Sequence, residues 1–201
     1  MEQETRVLIL SGFLGSGKTT VLMRLVNHLR AAHGDAYKIA IIENEIGSAS
    51  VDSSVIQDAG YSVTEMLAGC VCCTLIGQLV PAIWRLCEDL SPDLIILEAT
   101  GVAAPESMCD TIRKHAKLPV RVATVVDASR WEKIRVALEV LLRNQLEPAD
   151  VICISKTDLV DEGEIAEVER SVREVNATAP IVRMGAQGPA DPMELDKLME
   201  A

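Results

Sequence analysis

Residues 12–19 read Gly-Phe-Leu-Gly-Ser-Gly-Lys-Thr, a full match to the pattern G-x-x-x-x-G-K-[ST]. Its chemistry is hard to use for anything but phosphate. Gly12, Gly15 and Gly17 let the backbone turn so that several N–H groups face one anion. Lys18 adds a point charge for the β- and γ-phosphates, and the Thr19 hydroxyl can sit on Mg²⁺. Ser16 and Thr20 complete the candidate nucleotide contacts of this loop. At ordinary residue frequencies, the odds of a chance match in a chain of this length are roughly 1%. The sequence therefore predicts a nucleoside triphosphate site.

Three further clusters carry chemistry. The run Leu-Ile-Ile-Leu-Glu-Ala-Thr-Gly, residues 94–101, ends an apolar strand on Glu98, a carboxylate placed to hold a Mg²⁺-bound water. Three residues later, Gly101 can donate its N–H to a γ-phosphate. The run Ile-Ser-Lys-Thr-Asp, residues 154–158, follows another strand. There Asp158 can accept two hydrogen bonds from guanine's ring N–H and amine, whereas adenine presents an acceptor at the ring position. The stem of Lys156 can lie along the base, and Ser155 stands where such loops usually have Asn. Finally, Cys70, Cys72 and Cys73 place three thiols within four residues, a soft ligand set for Zn²⁺ or Cu⁺ that leaves one tetrahedral position open for exchange. Glu45, in Glu43-Asn44-Glu45-Ile46-Gly47, could reach either Mg²⁺ or the cysteine-bound metal. The isolated Cys87, Cys109 and Cys153 read as small core hydrophobes, and His28, His33 and His115 as surface residues.

These clusters need a scaffold, and the apolar pattern supplies one. Strands are expected at 6–11, 37–42, 93–98, 120–126, 150–155 and about 180–184, with helices at 75–89, 131–146 and 162–176 and a short one over 194–200. Behind the glycine loop, Leu22, Leu25, Val26 and Leu29 recur at helical spacing, which puts the phosphates at a helix N-terminus. Near-continuous Val/Ile/Leu strands alternating with helices imply an α/β fold, a P-loop NTPase with a mainly parallel sheet covered by helices on both faces. Residues 44–69 resist this pattern apart from a helical hint at 63–67, and read as a switch region.

Composition narrows the class. The chain has 201 residues, a net charge of −11 and only five aromatic residues (two Trp, two Tyr, one Phe), so a nucleic-acid partner is excluded on charge and on stacking surface. No apolar stretch approaches the roughly 18 residues that span a bilayer. The N-terminal Met-Glu-Gln-Glu-Thr lacks the features of a signal peptide, and six cysteines without a secretory signal fit a reducing cytoplasm.

The clusters occur in the order phosphate loop, Asn-Glu-x-Gly, Cys-x-Cys-Cys, Glu-x-Thr-Gly and x-Lys-x-Asp. This order resembles the CobW-like group of metallochaperone GTPases, related to the urease and hydrogenase nickel-insertion GTPases. The resemblance covers roughly residues 6–185. It implies a Mg²⁺-dependent GTPase that delivers a transition metal (Zn²⁺ first, with Co²⁺ or Ni²⁺ as alternatives) to a client protein. Cytoplasmic location and a homodimer are also implied. From its length the chain reads as a single GTPase domain over 1–201, a departure from the many relatives that carry a second C-terminal domain. Ser155 replaces the usual Asn of that group, Ser48 stands where an acid is frequent, and Ala99 where a hydroxyl residue is common. Three readings stay open beside it: an assembly or reactivation factor for a corrinoid-dependent enzyme, a P-loop small-molecule kinase, and a metal-binding regulatory module without turnover.

Replacing Lys18 by Ala is expected to abolish binding of fluorescent GTP while leaving the far-ultraviolet circular dichroism unchanged. Retained affinity would place the phosphates elsewhere.

Overall fold

The computed structural model describes residues 4–43, 62–65, 73–101 and 103–200. Along the chain these form β1 (Arg6–Ser11), α1 (Lys18–His33), β2 (Ile39–Glu43), β3 (Ser62–Glu65), α2 (Cys73–Leu90), β4 (Leu94–Glu98) and α3 (Pro105–Thr111). There follow β5 (Val120–Asp127), α4 (Trp131–Ala137), α5 (Glu139–Leu146), β6 (Val151–Ser155), α6 (Glu162–Val175), β7 (Ile181–Met184) and α7 (Pro192–Met199). All strand pairs are parallel, in the order β3-β2-β4-β1-β5-β6-β7. β1 lies between β4 and β5, and the chain leaves it for β2 on one side and later returns to β5 on the other. Such a reversal opens a crevice at the carboxyl ends of the strands.

Alternation along each strand divides the core. Leu8 and Leu10 of β1, with Ile96, Val125 and Cys153, pack against Leu22, Leu25, Val26 and Leu29 of α1 and Leu195 and Leu198 of α7. Val7 and Ile9 face the other way, with Ile95 and Leu97, onto Leu79, Ile83 and Leu86 of α2 and Met108 of α3. Further along that second face, Ile152 and Ile154 pack with Leu142 and Leu146 of α5 and Val168 and Val172 of α6. Strands apolar on both sides are what a doubly covered parallel sheet requires. Local caps set the helix starts: Asp161 and Glu164 form a reciprocal capping box on α6, and Asp191 caps α7 ahead of Pro192.

Three sequence expectations change. Within the helical hint at 63–67, residues 63–65 instead belong to β3, a short edge strand whose Val63 and Thr64 are both β-branched, and 66 and 67 lie outside the described residues. The helix expected over 131–146 divides at Leu138, whose backbone leaves the helical region at φ −133° and whose side chain is 39% exposed. The halves answer to different anchors. α4 follows directly from the tight turn Ala128–Arg130 after β5, whereas α5 buries Leu142, Gln145 and Leu146. His28 is more enclosed than a surface residue, because its Nε2 lies 2.6 Å from Asp196 on α7. Cys109 and Cys153 are buried, and burial pushes their thiols up to about 11 and about 12, so they stay protonated.

Candidate nucleotide site

At the carboxyl end of β1 the chain turns through Gly12 (φ 136°), Gly15 (φ 73°) and Gly17 (φ 96°), and α1 starts at Lys18. Gly12 has no room for a side chain, since a Cβ would come 2.3 Å from the Val125 carbonyl oxygen. The loop's carbonyls are taken up one after another by side chains from distant parts of the chain. Lys18 Nζ donates to the carbonyls of Gly12 (3.1 Å) and Phe13 (3.4 Å). Arg130 Nη2 donates to Leu14 (2.9 Å), Lys156 Nζ to Gly15 (2.7 Å), and Ser155 Oγ lies 2.5 Å from the Ser16 carbonyl. Because C=O and N–H point opposite ways in a peptide unit, carbonyls held by the surrounding side chains leave N–H groups to line the other side, except that of Ser16, which donates to the Phe13 carbonyl at 3.1 Å. That is the arrangement a phosphate needs.

Two of those donors share an anchor that the sequence reading missed. Asp127, the last residue of β5, is buried at 1% exposure. Its Oδ2 accepts from Lys156 Nζ and Arg130 Nε, both at 2.7 Å, and its Oδ1 accepts from the Ser129 hydroxyl (2.7 Å) and backbone N–H (3.0 Å). Burial alone would push this carboxyl up; the hydrogen bonds from Lys156, Ser129 and Arg130 outweigh it and hold it below the ordinary range. The available signal was an acid ending the apolar run Val120–Val126, the same signal that singled out Glu98.

Across β1, Glu98 ends β4, and its Oε1 lies 3.4 Å from Thr19 Oγ1. An alcohol and a carboxylate converging beside a phosphate loop form the hard-oxygen donor set that suits Mg²⁺. Gly101 packs directly on the loop, where a Cβ would stand 2.7 Å from the Leu14 nitrogen. Its carbonyl accepts from Nε2 of the buried Gln145 at 2.6 Å, a second residue the sequence did not single out. Thr20 is exposed on the first turn of α1. On the opposite flank, Asp158 accepts from the backbone N–H groups of Ala186 (2.5 Å) and Gln187 (3.2 Å); the Ala186 bond is the main reason its carboxyl is held low.

The candidate nucleotide residues therefore gather at one sheet edge, with one change of role. Ser155 is 4% exposed and its hydroxyl faces the Ser16 and Val126 carbonyls, so it ties the loop to β6. The thiol cluster is a different matter. Cys70, Cys72 and Glu45 lie outside the described residues, and Cys73 is described only as the first residue of α2. Among the described residues, no group of three or more His, Cys, Asp or Glu could hold a metal ion, and no helix is long and apolar enough to cross a membrane.

The model of the CobW/HypB/UreG nucleotide-binding domain matches residues 6–183. The chain belongs to this family. It is 34% identical over 185 residues to the zinc chaperone YjiA of Escherichia coli, covering 87% of this chain and 56% of that protein. It is 30% identical over 219 residues to the zinc-regulated GTPase metalloprotein activator 1 of Dictyostelium discoideum, covering 88% and 45%. The chain thus spans about half the length of these curated relatives. Its fold resembles HypB from Helicobacter pylori, solved in complex with nickel, at a TM-score of 0.69 and 19% identity, covering 96% of this chain and 83% of that one.

Asp127→Asn removes the charge that Arg130 and Lys156 share. Hydrogen bonds to charged groups are worth about 1.5–3 kcal/mol, so urea denaturation at neutral pH is expected to show a loss of that order. A carboxyl held low in the folded state stabilises fully above its unfolded value, about 3.9, and that contribution fades as pH falls through the folded value. Wild type and variant should therefore converge in acid. Equal stability at neutral pH would remove Asp127 as the anchor.

Proposed function

We propose that this chain is a GTPase domain that couples Mg²⁺-dependent GTP binding and hydrolysis to delivery of a transition metal, Zn²⁺ first among the candidates, to a client protein. The observation that carries this reading is the convergence of four elements on one sheet edge: the tied phosphate loop, Thr19 with Glu98, Gly101 against the loop, and Asp158 at the far side. The relatives named as zinc chaperones and as a zinc-regulated GTPase support the metal assignment.

The division of labour follows from charge and geometry. Lys18 and the loop N–H groups hold the β- and γ-phosphates, and Asp158 selects guanine through two N–H donors. Thr19 and Glu98 would hold Mg²⁺, directly or through water; the ion supplies neutralisation of charge on the phosphate oxygens. Gly101 donates its N–H to the γ-phosphate, and Gln145 fixes the orientation of that segment through the Gly101 carbonyl. Water attacks the γ-phosphorus, the bond to the β–γ bridging oxygen breaks, and GDP and phosphate leave. Cys70, Cys72 and Cys73 bind the cargo as thiolates, with Glu45 as a further ligand. Cys73 opens α2, and α2 leads into β4 and Glu98, so the metal and nucleotide sites are joined by one continuous stretch of chain.

Linkage makes this testable. Zn²⁺ affinity is to be titrated against a competing chelator without nucleotide, with GDP, and with a non-hydrolysable GTP analogue, using Mg²⁺ throughout. A coupling of about 1–3 kcal/mol corresponds to roughly a 5–150-fold shift in the zinc dissociation constant, and GTP affinity must shift by the same factor on zinc loading. Replacing all three cysteines by Ser should abolish the zinc site. Three indistinguishable zinc constants would mean two independent sites and no delivery mechanism.

A further inference from the structure

Between β7 and α7 the chain runs Gly185-Ala186-Gln187-Gly188, and its carbonyls are gathered by one side chain. Arg24, in the second turn of α1, donates from Nη1 to the Gly185 carbonyl at 2.6 Å. Its Nη2 donates to the carbonyls of Gly188 (2.8 Å) and Ala186 (3.2 Å). The N–H ends of the same peptide units point the opposite way, into Asp158. The Gly185–Ala186 unit offers its N–H to Oδ1, and the Ala186–Gln187 unit offers its N–H to Oδ2. Two consecutive peptide planes are thus held at the carbonyl end by a guanidinium and at the N–H end by a carboxylate. The backbone is shaped for this clamp. Gly188 turns at φ 77°, and a Cβ on Gly185 would press to 3.3 Å from Asp158 Cγ.

We propose that Arg24 is a specificity-positioning residue: without touching the base, it sets base selection by fixing loop 185–188 and, through that loop, the orientation of Asp158. A carboxylate has about four lone-pair sites. Two are occupied by the loop N–H groups, which leaves two in fixed directions. Guanine supplies two donors on that edge, its ring N–H and its amine. Adenine supplies one donor and one lone pair. A carboxylate free to turn could offer a single oxygen to the adenine amine; a clamped one must give up loop bonds to do so. The loop contacts also keep Asp158 ionised, so it cannot become a donor to adenine's ring nitrogen. A planar fork suits three carbonyls on neighbouring peptides, and an ammonium does not reproduce it.

This inference rests on Asp158 reading the base, and the experiment separates the two. Affinities for GTP, ATP and inorganic tripolyphosphate are measured with Mg²⁺ for wild type, Arg24→Ala, Arg24→Lys and Arg24→Gln, with thermal melts to select the variants that fold. Arg24→Ala is expected to lower the GTP-to-ATP affinity ratio by about tenfold or more, the scale of a lost hydrogen bond to a charged group. Tripolyphosphate affinity should stay unchanged. Arg24→Lys should recover only part of the ratio. Arg24→Gln, which keeps much of the stem, serves if the alanine variant does not fold. An unchanged ratio in a folded variant, or an equal loss for GTP and tripolyphosphate, overturns the role of Arg24 alone. A wild type that binds GTP and ATP equally overturns both the role of Arg24 and the Asp158 reading beneath it.

Discussion

A loop that turns its N–H groups toward an anion must find partners for its carbonyls, and five consecutive carbonyls here set the terms for the rest of the structure. Where such a group is buried, leaving it unpaired costs about as much as a lost hydrogen bond; Leu14 and Gly15 are exposed, and there the side chains replace water. Gly12 through Ser16 are therefore met by Lys18, Arg130, Lys156 and Ser155. Arg130 and Lys156, two of the three cations among these donors, would repel each other, and the buried Asp127 between them removes that penalty. The order β4-β1-β5-β6 brings the ends of β5 and β6 beneath the loop that leaves β1.

The same constraint explains how an acidic chain binds a polyphosphate. The net charge is −11, yet Lys18, Arg130 and Lys156 all converge on the phosphate loop at the carboxyl edge of the sheet. Each donates to backbone carbonyls there, so their side chains are already ordered before a ligand arrives. Preorganised charge at a helix N-terminus acts locally, whereas dispersed surface acids are screened beyond about 10 Å at moderate salt. The site's potential is thus set by these tied cations together with Asp127, Glu98 and Asp158 beside them, rather than by the balance of the whole chain.

Much of this was legible in the sequence wherever a signal is local. β1, β4 and β6 are short runs of Val, Ile and Leu, the phosphate loop is a contiguous octapeptide, Glu98 ends β4, and Asp158 lies just past β6. Other features lacked such a signal. β3 is four residues at an edge, set in a polar stretch. α3 is seven residues starting at Pro105, too short to show a period. The division at Leu138 has no Gly or Pro to announce it. The tying residues were the least visible, because their contacts join positions far apart: Arg130 reaches Leu14 across 116 residues, Ser155 reaches Ser16 across 139, and Arg24 reaches Gly185 across 161. Ser155 shows the limit well. As a departure from the usual Asn it looked like a weakened base contact, whereas its hydroxyl serves the loop backbone.

The central claim is that Asp158 gives this phosphate loop its guanine specificity, and a swap of hydrogen-bond partners tests it most directly. Xanthine differs from guanine on that edge by carrying a carbonyl in place of the amine. Asp158→Asn presents one acceptor for the ring N–H and one donor for that carbonyl, and gives up the bond to one of the two loop N–H groups. Titration of GTP and xanthosine triphosphate with Mg²⁺ should show wild type preferring GTP, and Asp158→Asn preferring xanthosine triphosphate, each by about tenfold or more given the cost of a mismatched charged hydrogen bond. An unchanged preference in the variant would contradict the account, since the base would then be read by some other group.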